Sequence, residues 1–321
     1  MNLDHPHLAP QAAALMNMTD DLRIRATRTD RWIGFSRAKF ALERLQFLCD
    51  HPPSTRPPGL AIYAHSGMGK TMLVEKFRRT NPPTIDTVAG VETVPVLSIS
   101  LSSKPSERRI YAQLLSSSGV SLRHAMTLVE MEVRALSILK QLKVRVIVID
   151  EVHNLLAGSP REQRVILQLF RHLSNELKAS LVFLGIADAR EAVAGDTQLS
   201  RRLDQMALPR WKADDEFQSL VIAILRSLPL RRPSALSAHS LRTLARATDG
   251  ITAKVFGMLN ELAVDLERSK SPTRMSRAGS PPLNEKPPSP DVRFSVSIGT
   301  RDRFHSQLKP KNPQENPPVS H

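Results

Sequence analysis

Cysteine is nearly missing from this chain. Cys49 is the one thiol in 321 residues, so no internal disulfide can form, which fits a reducing compartment and the expectation of a cytoplasmic protein. Aromatic residues are scarce at 4%, so the core must be mainly aliphatic. No apolar run approaches the length that crosses a bilayer, and the N-terminus lacks the basic-then-apolar order of a signal peptide. No membrane role is expected. Acidic charge is in deficit: 31 Asp and Glu against 45 Lys and Arg leave a net charge of +14. From Ser269 onward nine cationic residues face four acidic ones, so about +9 belongs to the remainder. A basic body points to a polyanionic partner, nucleic acid before membrane, since no long basic amphipathic helix stands out.

What is present is concentrated around one stretch. Ala64-His65-Ser66-Gly67-Met68-Gly69-Lys70-Thr71 follows an apolar run, Gly59–Tyr63, and precedes a helical pattern beginning Met72-Leu73-Val74. It matches the phosphate-loop template G-x-x-x-x-G-K-[ST] except that Ala64 takes the first glycine's place. Small residues let backbone N–H groups curl around phosphate oxygens, and the helix N-terminus adds its positive dipole end. Lys70 would reach the β- and γ-phosphates of ATP, and the Thr71 hydroxyl would ligate Mg²⁺. About 80 residues later Val144-Arg145-Val146-Ile147-Val148-Ile149-Asp150-Glu151 reads as a buried parallel strand ending in two acids. Asp150 would hold the Mg²⁺ and Glu151 would orient the attacking water. His153 is read as structural, because no second metal ligand has suitable spacing.

Further strands are expected at Val94–Leu101, Ser180–Ile186 and Met206–Trp211, with helices between them. Trp32 and Ile33, ahead of the helix from Ser36, offer an apolar wall for an adenine ring or plain core packing. Ser102, Ser103, Lys104, Arg108 and Arg109 form a small, basic turn into a helix; they would contact DNA phosphates, or form a solvated turn. Arg201 and Arg202 lie near a helix end, where an arginine can reach a neighbouring subunit's γ-phosphate. Lys254 is either a nucleotide sensor or a surface lysine. The expected organisation is a flexible arm over 1–20, an α/β ATPase core over 21–212, a helical lid over 213–268, and a Pro/Ser-rich disordered tail over 269–321.

These elements together resemble the AAA+ P-loop NTPases: an α/β fold with a parallel five-stranded sheet and a small helical lid. A narrower resemblance is carried by RTDRWIGF (28–35), EKFRRT (75–80), VIDEVHNLLAG (148–158), LPRW (208–211) and SLPLRRPS (227–234). It is to TniB, the ATP-binding transposition protein of mercury-resistance-type transposons, related to TnsC. The resemblance implies ATP-dependent binding to target double-stranded DNA, assembly into homo-oligomers or filaments, and recruitment of a TniA-like transposase, with contact to a TniQ-like protein. The expected nucleotide set is residues 64–72, including Met72, with Asp150, Trp32 and Ile33. The chain departs from the family at Ala64, at Ile186 where the family has Thr, and at Arg201-Arg202-Leu203 where it has Asn-Arg-Phe. The family's C-terminal helical ending is not visible after residue 268. An ATP-binding scaffold with little hydrolysis, and another AAA+ loader or switch, are the alternative readings.

Overall fold

Val146–Ile149 and Leu181–Leu184 are almost wholly shielded from solvent on both faces, and a parallel sheet between helical layers explains this. The computed structural model describes residues 5–87, 90–121 and 126–269; beyond Ser269, the expected disordered tail lies outside the described residues. In chain order the elements are α1 Pro10–Ala14, a 3-10 turn Leu15–Asn17, α2 Asp20–Thr27, α3 Ser36–Asp50, β1 Gly59–Ala64 and α4 Lys70–Thr80. A short antiparallel pair follows, β2 Thr84–Asp86 and β3 Val91–Thr93, then β4 Val96–Ser100, α5 Glu107–Ser117, α6 Leu128–Gln141 and β5 Val146–Asp150. After a 3-10 turn, Val152–Ala157, come α7 Pro160–Leu177, β6 Ser180–Gly185, α8 Ala189–Ala194, α9 Thr197–Ser200 and β7 Leu203–Leu208. Three helices finish the described chain: α10 Asp215–Ser227, α11 Ala238–Ala247 and α12 Thr252–Ser269.

Five strands form one parallel sheet in the order β4-β5-β6-β1-β7. Alternation along each strand divides the core. Leu60, Ile62, Val146, Val148, Val182 and Leu184 face α3, α4 and the terminal helices, whereas Ala61, Tyr63, Ile147, Ile149, Leu181 and Phe183 face α5 to α8. Capping boxes start α6 at Thr127/Glu130 and α7 at Ser159/Glu162, with Pro160 at the first turn of α7. The apolar faces of α10 and α12 join the first of these clusters through Phe217, Leu220, Val221, Val255 and Leu259.

Two expectations change. The last strand spans 203–208 rather than 206–211: Leu203 pairs with Gly59 and Leu208 with Ala64. Trp211 instead leaves the sheet and packs against Phe35 and Phe217 at the junction with the terminal helices. The N-terminal arm, expected to be flexible, is docked from residue 5 onward. Leu8, Ala12 and Ala13 are buried, the Ala9 N–H donates to Arg226 O at 2.7 Å, and His7 Nε2 lies 2.9 Å from Leu230 O. An alanine-rich turn begun by Pro10 presents a small apolar face, which fits the end of α10. Arg23 of α2 is buried and ion-paired with Glu267 of α12. Among the described residues no helix is long and apolar enough to cross a membrane.

Candidate nucleotide site

The loop after β1 carries two glycines in the left-handed region, Gly67 at φ +78° and Gly69 at φ +92°. Gly69 caps α4, so the turn from strand to helix depends on residues without a Cβ. Ala64 needs no such freedom, because it ends β1 with a negative φ and its buried carbonyl points into the loop. Lys70 is only 8% exposed. Its Nζ donates to Ala64 O at 2.8 Å and His65 O at 3.3 Å, spanning the loop from the inside. Burial pulls its ammonium pKa below the ordinary lysine range, and the Asp150 and Glu151 carboxylates oppose that pull.

β5 delivers the two acids beside this lysine, two strands away from β1 in the sheet. Thr71 Oγ1 donates to Asp150 Oδ2 at 3.2 Å, so hydroxyl and carboxylate already share one locus. Two oxygen donors on one side suit Mg²⁺, which takes few protein carboxylates and completes its shell with water and phosphate oxygens. Asp150 Oδ1 accepts from the Glu151 N–H at 2.7 Å. Glu151 adopts φ +56°, uncommon for a residue with a side chain, and the chain turns there from strand into the 3-10 segment. Its Oε2 lies 3.1 Å from His153 Nε2.

A cavity of about 500 Å³ opens above the loop, within the size range of small-molecule and cofactor sites. Residues 66–72 and Glu151 form its floor; Trp32 and Ile33 stand on one wall, and Thr252, Ala253 and Phe256 of α12 on another. The start of α12 is tied to the loop, with the Ala253 N–H donating to Gly67 O at 2.9 Å. Behind it Trp211 is fixed twice, by its N–H to Gly250 O and by its indole N–H to Thr252 Oγ1, both at 2.9 Å. Arg31, which lines the same cavity, bonds Asn260 of α12 and the Thr27 carbonyl. Sequence reasoning gave Arg31 no site role beyond its place in the 28–35 string, and it missed Thr252, Phe256 and Asn260, whose sole signal is an apolar helix placed after a Gly-containing turn.

The remaining expected residues are dispersed. Ala64 and His65 hold Lys70 by their carbonyls without lining the cavity, and exposed His65 turns its Nδ1 to Ser66 O. Arg202 stands at the opposite end of the sheet, its carbonyl accepting from the Gly59 N–H and its Nη1 donating to Asn175 at 2.8 Å. About 17 Å of strand separates it from the loop. It sits near Arg56 and Arg171; burial first, then these two charges, lowers its pKa. Lys254 pairs with Asp249 at 2.7 Å and does not line the cavity. Ser103, Lys104 and Arg108 are exposed at the sheet edge that carries the loop. Arg109 instead holds that turn together, donating to Ser102 Oγ at 3.3 Å and Lys104 O at 3.1 Å.

Residues 23–213, more than half of the chain, match the family model for the bacterial TniB protein. No curated protein matches the chain. Among solved structures the fold is similar to the Aeropyrum pernix ORC1 protein in complex with DNA, at TM-score 0.54 and 16% identity over 77% of this chain and 65% of that one. It is similar to Cdc6p from Pyrobaculum aerophilum at TM-score 0.55 and 14% identity over 78% and 67%. Drosophila ORC bound to DNA follows at TM-score 0.51 and 14% identity over 79% and 62%. This chain thus spans about two thirds or less of each of those chains. The fold is that of the AAA+ P-loop NTPases.

Proposed function

The chain belongs to the TniB family, and from that premise we propose that it is an ATP-dependent regulator of transposition, which assembles on target DNA and recruits or activates a TniA-like transposase. The observation that carries the reading is the meeting of Lys70, Thr71 and Glu151 on the floor of a cavity walled by α12, with Asp150 bonded to Thr71 beside it. ATP would place its phosphates along the N–H groups of residues 66–72, with Lys70 exchanging its loop carbonyls for phosphate oxygens. Thr71 and Asp150 would hold Mg²⁺, and Trp32 and Ile33 would face the base. Glu151 orients the attacking water, and hydrolysis controls assembly. Because Arg202 stands a strand's length from its own loop, its catalytic role belongs to a neighbouring copy's γ-phosphate, which makes a homo-oligomer the active form. Ser103, Lys104 and Arg108 would grip the DNA backbone with little sequence preference, and a TniQ-like protein is a further partner.

ATP and DNA binding, with hydrolysis, test this in one set of measurements. K70A is expected to lose ATP binding. E151Q is expected to bind ATP, to lose about 10²–10⁴-fold in turnover, and to remain on DNA. Undiminished ATP affinity in K70A would remove the reading. One observation favours a scaffold that scarcely hydrolyses: Ile186 follows β6 where a polar side chain would sense the γ-phosphate. In that case E151Q changes little.

A further inference from the structure

β7 closes one end of the five-stranded sheet, and among the described residues no strand pairs with its outer edge. The Gly59 N–H donates to Arg202 O, so the bonds to β1 fall on the even-numbered residues of β7. The N–H and C=O groups of Leu203, Gln205 and Ala207 therefore face outward. The devices that usually guard such an edge are missing from it. Leu203–Leu208 holds no lysine and no proline, its register with β1 runs without a bulge, and its single charge, Asp204, is paired with Arg44.

An apolar shelf lies beside this edge. α3 runs along it, with Arg37 donating to Pro209 O at 3.5 Å and Arg44 ion-paired with Asp204. Phe40 and Phe47 follow these arginines by three residues each, on the same stripe of the helix, and are 54% and 48% exposed. The Arg44 guanidinium lies 5.0 Å from the centre of the Phe47 ring and holds that ring beside the edge. A strand laid against β7 would present every second side chain to this shelf.

The sequence holds one segment of that pattern which the five-stranded sheet does not use. Val292-Arg293-Phe294-Ser295-Val296-Ser297-Ile298, outside the described residues, alternates apolar with polar residues and is rich in β-branched ones. It contains no proline, although Pro287, Pro288 and Pro290 precede it and Pro310 and Pro313 follow. The 22 residues from Lys270 to Asp291 can span about 70 Å. A body of this size is about 45–50 Å across, so the segment reaches the edge from the end of α12. We infer that Val292–Ile298 joins β7 of the same molecule as a sixth strand, with Val292, Phe294, Val296 and Ile298 laid on Phe40 and Phe47. Backbone bonds to the open edge supply the affinity and the aromatic shelf selects the face. Tethering gives the segment an effective concentration that a second copy in dilute solution does not match. The inference goes beyond the nucleotide reading and stands apart from it.

The test is hydrogen exchange at resolved backbone amides of the full-length chain, without nucleotide or DNA, at a low and a high protein concentration. The proteins are the wild type, S295P/V296P and F40S/F47S. The double proline removes an inward N–H whichever residue of the pair supplies it. In the wild type, Gln205 and Ala207 should exchange about tenfold more slowly than in S295P/V296P, the effect of one net hydrogen bond. That protection should be equal at both concentrations and shared by the 292–298 amides. Asp204 and Met206, which bond β1, are the internal control and should stay protected throughout. F40S/F47S changes exposed positions only, and should release Gln205, Ala207 and the 292–298 amides together. Fast exchange at Gln205 and Ala207 in the wild type, or protection that survives in S295P/V296P, overturns the inference. Protection that rises with concentration assigns the edge to a second copy and overturns it too. Protection kept in F40S/F47S overturns the placement on α3.

Discussion

Replacing Gly250 with alanine should loosen the joint on which the nucleotide cavity depends. Gly250 has φ +62°, and a Cβ built there would lie 2.2 Å from Trp211 O, 2.8 Å from Trp211 N and 3.0 Å from Trp211 C. All three are backbone atoms, so no side chain can rotate out of the way. The left-handed conformation costs alanine about 1 kcal/mol, and overpacking against an immovable neighbour adds about 1–3 kcal/mol. The sum of about 2–4 kcal/mol should lower the thermal midpoint by roughly 5–15 °C in a body of this size. The Trp211 N–H bond to Gly250 O would be displaced, and with it the start of α12 that donates to Gly67 O. ATP affinity should then fall about tenfold for each 1.4 kcal/mol of lost closure. Gly119 is the control: its φ is +76° but nothing stands within 4 Å of an added Cβ, so G119A bears only the conformational cost. Differential scanning fluorimetry beside ATP titration reads both effects. Equal midpoint drops in G250A and G119A, with ATP affinity unchanged, would refute the steric argument.

Three further outcomes follow from the same structure. ATP affinity should decline with rising pH sooner than for an ordinary lysine, because burial lowers the Lys70 pKa and only the protonated ammonium serves phosphate; calorimetric titrations across alkaline pH would reveal it, and an affinity flat to pH 10 would contradict it. Doubly substituted K104A/R108A should weaken DNA binding evenly across sequences and reduce the salt slope by about two, one for each phosphate contact. E267Q should destabilise by less than the about 3–5 kcal/mol of a fully orphaned buried charge, since it leaves the buried Arg23 cation with Asp20 alone, at 3.4 Å, as counter-charge; chemical denaturation measures this, and the paired apolar replacement R23M/E267L should be milder.

The phosphate loop and the acidic strand end were legible because their chemistry is local. Gly67 and Gly69 must adopt positive φ within a few residues of Lys70, and β-branched Val146–Ile149 must be buried before Asp150 can stand at a strand end. β7 was misplaced by three residues because it is an edge strand: Leu203-Asp204-Gln205-Met206-Ala207-Leu208 buries only its two ends, whereas Trp211 advertises apolarity that belongs to the helical joint. The docking of residues 5–17 left no periodic signal, because its partners are Arg226 and Leu230, more than 200 positions away. The wall supplied by Arg31, Thr252 and Asn260 was hidden for the same reason.

That distance in sequence has a consequence for how the molecule is made. Arg31 and Asn260, which meet beside the cavity, are 229 positions apart. A ribosome adding about 5–20 residues per second needs on the order of 10–45 s to bring the second within reach of the first. During that interval β1 and the phosphate loop exist without the α12 side of the cavity, and Arg23 of α2 has Asp20 but not yet Glu267 to pair with. The cavity proposed for nucleotide is therefore completed late, as α12 emerges. An incomplete chain would have little means of competing with finished copies for ATP.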